Sequence, residues 1–128
     1  MTHIVLEHLN ITVNNAKATA ALYCKLFDWH IRWEGPAMDA GYTVHVGTDT
    51  QYIALYTPAA PQADTMSDHT VIGKLNHIAI IVKDLAQFKA KAEALGLTPF
   101  NDCHYLDDQH SFYIKDADGI EFEIVSYD

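Results

Sequence analysis

The pattern of hydrophobic and polar positions occurs twice along the chain. Alternating segments over 8–13 and 77–82 are typical of half-buried strands, and each precedes a stretch with apolar residues at helical spacing. In the first strand one face is apolar, while the other carries His8, Asn10 and Thr12. Three more short strand-like segments follow each predicted helix. The pattern therefore predicts the element order βαβββ, twice.

The boundaries of these elements have recognisable signals. Asn14 or Asn15 can cap the first helix, Asp84 can cap the second, and Gly96 suits the position after a helix end. The residue types at 116–119 are typical of a hairpin turn. The remaining strands are predicted near His30–Glu34, Tyr42–Gly47, Gln51–Thr57, Phe100–Tyr105, Ser111–Lys115 and Glu121–Ser126.

A constant offset relates the two halves of the chain. Shifting the segment 6–13 by 69 residues, from position 8 to position 77, aligns Leu, His, Ile and Val with their counterparts in 75–82. The same shift brings 49–55 onto 118–124 without a gap. We therefore expect one α+β domain over 1–128, in which two βαβββ modules form a curved mixed sheet. Its parts are module one at 1–57, a Pro- and Ala-rich linker at 58–72 and module two at 73–128.

Two histidines occupy equivalent positions in this repeat. His8 and His77 each lie on the strand face opposite the apolar side, so pseudo-twofold symmetry would bring them to one axis. A lone histidine is more often structural or exposed, but the repeat favours a shared role. Glu123 has apolar neighbours, where an unpaired carboxylate is costly to bury. Its repeat equivalent is Ala54, whereas an exposed edge-strand position suits Glu121 better.

The residue types of His8, His77 and Glu123 are those of a metal site. Two imidazoles and one carboxylate leave open positions on an octahedral ion, which is the arrangement associated with non-haem Fe(II). Fe(II) is therefore the favoured cofactor, and Mn(II), Ni(II) or Zn(II) could bind the same set. Such an ion can hold a substrate through two neighbouring oxygens and still offer a position to O2 or water.

Composition excludes several classes of function. Lys and Arg number 8 against 17 Asp and Glu, the formal net charge is −9, and Arg32 is the sole arginine. A nucleic-acid partner is not expected, because the chain lacks a basic stripe, and a dedicated phosphate site is disfavoured for the same reason. No apolar run reaches membrane-spanning length, and the first residues do not fit a signal peptide. With only two cysteines, a cytoplasmic protein with reduced thiols is the simplest interpretation.

Four segments that cover nearly the whole chain carry a family resemblance. They are Leu6–Val13, Leu22–Trp29, Leu75–Val82 and Asp116–Glu123. Through them the chain resembles the vicinal oxygen chelate superfamily, whose members include glyoxalase I, bleomycin and fosfomycin resistance proteins and type I extradiol dioxygenases. The resemblance implies metal positions at His8, Ala54, His77 and Glu123. Alanine cannot ligate a metal, which disfavours the glyoxalase isomerase reaction.

Extradiol dioxygenases fit the C-terminal segments best. Their resemblance implies that His104 and Tyr113 act as catalytic residues that hydrogen-bond a bound catecholate. We expect Asn10, Tyr52 and His110 to line the substrate cavity, although strand packing explains the two aromatic residues equally well. Two alternatives stay open: a glyoxalase-like lyase or isomerase, and a metal-free binding and resistance protein of the bleomycin type. Fosfomycin-type transferases share the His, His, Glu set, but the basic residues that hold the phosphonate are not found.

The resemblance also implies an assembly. Relatives of this size usually form dimers, so we expect a homodimer that acts on a small molecule, without a membrane or nucleic-acid partner. The linker permits a swap in which module one of one chain pairs with module two of another. His8 would then come from a different chain than His77 and Glu123, and the sequence does not decide between the two arrangements.

Overall fold

The computed structural model describes residues 3–63, 69–103 and 109–127 of the chain. These residues form two compact units, Met1–Ala63 and Asp64–Asp128. Each unit contains one four-stranded sheet and one α-helix among its described residues, in the predicted order βαβββ. The predicted α+β fold with two such modules is confirmed.

The first unit is built on a mixed sheet. Its strands lie in the order β1-β4-β3-β2, with β1 parallel to β4 and the other neighbours antiparallel. The elements are β1 (His8–Thr12), α1 (Ala16–Phe27), β2 (His30–Ala37), β3 (Gly41–Gly47) and β4 (Tyr52–Thr57). Strand β2 therefore continues three residues beyond the predicted end at Glu34, through Pro36, which is tolerated because β2 is an edge strand.

Helix α1 covers one face of this sheet. Asn15 caps it, since its side-chain oxygen accepts a hydrogen bond from the Ala18 amide at 3.1 Å. The buried helix residues Ala16, Ala20, Tyr23 and Leu26 belong to the same core as the buried strand residues Val44, Val46, Ile53 and Leu55. The alternation of the strands places His8 on the opposite, open face, as the sequence predicts.

Strand β2 contains a bulge. Ile31 pairs with Val46 and Trp33 pairs with His45, which leaves Arg32 as an extra residue between two consecutive partners. A bulge of this kind changes the direction in which a side chain projects. Its consequence is that Arg32 reaches the open face of the sheet, where its guanidinium lies 4.4 Å from the centre of the Tyr52 ring.

The second unit repeats the architecture. Its strands lie in the order β5-β8-β7-β6, with β5 parallel to β8. The elements are β5 (Ile78–Ile81), α2 (Leu85–Ala94), β6 (Phe100–Cys103), β7 (His110–Lys115) and β8 (Glu121–Ser126). The predicted continuation of β6 to Tyr105 falls outside the described residues.

Local signals define α2 and the turn before β8. Asp84 caps the helix by accepting from the Gln87 amide at 3.0 Å, and Gly96, at φ 86°, follows its end. The Leu97 amide donates to the Ala92 carbonyl at 3.0 Å, which completes a Schellman motif. The Asp116 carboxylate accepts from two amides of its own turn at 2.9 and 3.0 Å. This turn sets the register of β8, the strand that carries Glu123.

Neither described helix is long and apolar enough to cross a membrane.

Candidate metal centre and aromatic face

Strand β8 carries two carboxylates on one face. It lies between β5 and β7, and its alternation separates Glu121 and Glu123 from Phe122 and Ile124, which share the helix-covered face with Phe112. Both glutamates are buried, with 7% and 9% of their surface exposed. The expectation of an exposed edge position for Glu121 is wrong, because β8 is an internal strand. His69 contacts its carboxylate at 2.5 Å.

Glu123 lies next to His77. The His77 Nε2 atom is 3.3 Å from Glu123 Oε1, and His77 Nδ1 is 2.7 Å from the Asn76 side-chain oxygen. That oxygen only accepts, so Nδ1 carries the hydrogen and the neutral ring presents the Nε2 lone pair to the carboxylate. Two acceptors then face each other in a largely buried place. A proton or a cation between them would remove the repulsion, so the pair suits a metal ion chemically.

Tyr113 completes this part of the second unit. It pairs with Glu123 in the register of β7 and β8, and its ring meets the His77 ring edge-on at a centroid distance of 5.4 Å. Its phenol therefore belongs to the same sheet face as the candidate ligands. The structure brings Tyr113, His77 and Glu123 together within one unit.

His8 has a matching environment in the first unit. Its Nδ1 atom lies 2.9 Å from a carboxylate oxygen of Glu7, which precedes it just as Asn76 precedes His77. Both candidate histidines thus have Nδ1 held by an acceptor on the preceding residue, and Nε2 remains as the metal-binding atom. Such contacts orient imidazole ligands in metal sites.

The three proposed ligands are divided between the units. His8 belongs to the first unit, whereas His77 and Glu123 belong to the second. Over its described residues, neither unit by itself contains a group of three His, Cys, Asp or Glu side chains that could hold a metal ion. Ala54, the repeat equivalent of Glu123, is buried on β4 and has no ligating atom.

The other predicted site residues have different outcomes. Asn10 is exposed and shares the open face of β1 with His8, and Tyr52 stacks on the His8 ring at 4.6 Å. His110 shares the face of Phe112 and Ile114, which helix α2 covers, so the structure does not bring it to Glu123. We withdraw it as a cavity residue. His104 lies outside the described residues.

The open face of the first unit also carries aromatic residues that sequence reasoning missed. We call it the aromatic face and define it by His8, Arg32, Trp33, His45 and Tyr52. Tyr52 stacks with His45 at 4.7 Å as well as with His8, and Trp33 meets His45 edge-on at 5.3 Å. The rings thus form one contact series across all four strands. Strict alternation would have placed Arg32 on the other side, so only the bulge reveals its position.

Electrostatics distinguish His45 within this face. Burial is the main reason that its pKa lies below the ordinary value of 6.5, and the neighbouring positive charges of His8 and Arg32 lower the pKa further. Glu7 acts in the opposite direction. His45 is therefore neutral at pH 7, and Arg32 is the permanent cation of the aromatic face.

Comparison with known proteins agrees with this fold. Residues 5–124 match the family model of the Glyoxalase/Bleomycin resistance protein/Dioxygenase superfamily, and the chain belongs to that superfamily. A search of curated protein sequences found no match.

Solved structures with the same fold are distant in sequence. SMU.1112c has 17% identity and a TM-score of 0.80, and the alignment covers 95% of this chain and 98% of that one. A glyoxylase/bleomycin resistance protein/dioxygenase domain from Frankia sp. EAN1pec has 18% identity and a TM-score of 0.80, with 99% and 100% covered. The fosfomycin resistance protein FosX from Listeria monocytogenes, solved with Mn(II) and sulfate, has 16% identity and a TM-score of 0.73, with 95% and 91% covered.

Proposed function

We propose that the protein is a divalent-metal-dependent enzyme that acts on a small molecule chelated through two neighbouring oxygens. His8, His77 and Glu123 are the proposed ligands, and Fe(II) is the favoured ion, with Mn(II), Ni(II) or Zn(II) as others that fit. Membership of the superfamily supports this proposal. FosX, which shares the fold, was solved with Mn(II) and 1S,2S-dihydroxypropylphosphonic acid, a compound with two neighbouring hydroxyls.

The observation that carries the proposal is the matched pair of Nδ1 contacts. Glu7 and Asn76, one residue before the two histidines, each accept a hydrogen bond from the ring. A histidine that serves only packing does not require this arrangement in both halves of a repeat. A ligand does, because the bond selects the tautomer and aims Nε2. His77 is thereby directed towards the buried Glu123 carboxylate.

The favoured reaction is extradiol ring cleavage of a catechol. The bound ion would supply Lewis-acid stabilisation of negative charge on the two substrate oxygens. Tyr113 is placed beside His77 to donate its phenolic hydrogen to one of these oxygens and so orient the ring. His104 is proposed to hold or transfer a proton near neutral pH. The buried environment of Glu123 keeps competing water away from the ligands.

Metal binding by the purified protein tests the first part. We expect one divalent ion per chain by elemental analysis and calorimetry, and loss of that ion in His77→Ala. His30→Ala is the matched control, because His30 is an exposed histidine paired only with exposed Asp49 among the described residues. Full metal occupancy in His77→Ala would contradict the proposed ligand set, and a native protein that binds no metal would favour the bleomycin-type binding protein.

Oxygen consumption tests the specific reaction. The Fe(II)-loaded protein should take up O2 when a catechol is added, and Tyr113→Phe should slow this uptake without releasing the metal. Absence of uptake over a broad catechol panel would refute ring cleavage while leaving the metal site intact. Turnover of a hemithioacetal by the Ni(II) or Zn(II) form would instead support the lyase or isomerase alternative.

A further inference from the structure

The aromatic face contains an arginine without an acidic partner. Among the described residues, no carboxylate lies within ion-pairing distance of the Arg32 guanidinium. Nearby acids of the first unit are engaged elsewhere: Glu7 with His8, Glu34 with the Tyr42 hydroxyl and Asp49 with His30. In a chain with net charge −9, the sole arginine thus remains available to a ligand.

The position of Arg32 depends on local features of β2. The bulge between Ile31 and Trp33 brings its side chain to the open face, where the guanidinium lies over Tyr52. Stacking on a ring uses the face of the guanidinium and leaves its N–H edges directed outwards. Those edges match a carboxylate in a two-bond, planar arrangement, which a lysine cannot provide.

Flat aromatic surfaces surround this cation. Trp33 is 53% exposed, although its ring folds over Gly35: a Cβ atom at that position would lie 2.9 Å from the indole. His45 and Tyr52 extend the same surface towards His8. An exposed tryptophan beside an unpaired arginine is more typical of a binding surface than of a solvated sheet face.

We propose that the aromatic face binds a planar aromatic acid, with Arg32 holding its carboxylate and Trp33 lying against its ring. This deepens the proposed function, on which it rests, by assigning the substrate an anionic substituent: an aromatic carboxylic acid with two neighbouring hydroxyls. One guanidinium matches one carboxylate charge. It also corrects the expectation from composition that the surroundings of the site lack positive charge.

Binding of benzoate to the metal-free protein tests this assignment. Benzamide is the matched neutral probe, and the Trp33 indole resonance reports binding by NMR. We expect benzoate to bind about tenfold more tightly than benzamide. Arg32→Gln should abolish the difference, and Arg32→Lys should restore part of it. Lys25→Gln, which removes one exposed charge from helix α1, should leave it unchanged.

Three results would overturn the proposal. Benzoate could fail to bind the native protein, it could bind no better than benzamide, or Arg32→Gln and Lys25→Gln could weaken it equally, which would indicate a general charge effect. Because these titrations need neither metal nor O2, they fail or succeed independently of the tests of metal binding and ring cleavage.

Discussion

Glu7 and Asn76 determine how the two candidate histidines can act. At the scale of single residues, a histidine becomes a ligand only when one ring nitrogen is protonated and held and the other is directed at the ion. The acceptors at 2.9 and 2.7 Å provide the first condition in both units. The repeat in the sequence predicts the equivalence of the histidines. It does not predict their acceptors, because Glu and Asn differ in type at equivalent positions.

The contact between Asn76 and His77 gives the first prediction. Asn76→Ala removes the acceptor and should weaken metal binding by about 10- to 100-fold, since the ring loses its fixed tautomer and orientation. Asn76→Asp keeps an oxygen at the same place and should retain most of the affinity. Calorimetric titration with Mn(II) measures both. Equal affinity in Asn76→Ala and the native protein would show that this contact does not orient a ligand.

The lowered pKa of His45 gives a prediction about pH. Because folding lowers this pKa, the unfolded chain binds the proton more readily, so the stabilisation linked to neutral His45 is complete above about pH 6.5 and is lost as the pH falls through the lowered pKa. Arg32→Gln removes one positive neighbour and should raise the pKa of His45. Burial persists, so the value should stay below 6.5.

Imidazole NMR titration of the metal-free protein measures this effect. The native His45 should titrate below the exposed His30, which serves as the internal reference. A pKa of His45 that does not move in Arg32→Gln would contradict the placement of the guanidinium near it.

Individual elements show where sequence patterns are informative and where they are not. The caps at Asn15 and Asp84 and the glycine at 96 are predictable, because each acts through its own backbone neighbours. The bulge in β2 is not, since Ile31-Arg32-Trp33 alternates normally in sequence and only the pairing with β3 shows the extra residue. The aromatic face therefore could not be predicted from strand periodicity.

Gly35 tests this element-scale interpretation of β2. Gly35→Ala places a methyl group 2.9 Å from the Trp33 indole, so the ring should swing away from the strand and the tryptophan emission should shift to the red. Because the indole is half-exposed and can move, we expect little change in the free energy of unfolding. In a Trp33→Phe background the same substitution should leave emission unchanged, which separates the effect from any change at Trp29. An unchanged spectrum in both backgrounds would contradict the described position of Trp33.

At the scale of the whole molecule, each unit leaves a strand edge uncovered. Strands β1 and β5 lie at the ends of their sheet orders, and exposed apolar residues accompany them. These are Ile4, Val5 and Leu6 in the first unit and Ile72, Leu75 and Ile81 in the second. Open edges with apolar neighbours favour association, which supports the expected homodimer. Which module accompanies which is not encoded in the periodicity of either one, and the sequence therefore leaves the origin of His8 open.

Mixing two inactive variants would decide that origin. His8→Ala and His77→Ala should each lose the metal, because the proposed ion needs both histidines. If one site draws His8 from one chain and His77 from its partner, a mixed dimer contains one intact site, and an equimolar mixture should recover about a quarter of the native metal content. We expect this recovery if the modules are exchanged between chains, and none if each chain builds its own site. Unfolding and refolding the variants together allows exchange, and the native protein treated alike is the control. Retention of full metal content by His8→Ala alone would contradict a site shared by the two halves of the repeat, whichever chain supplies them.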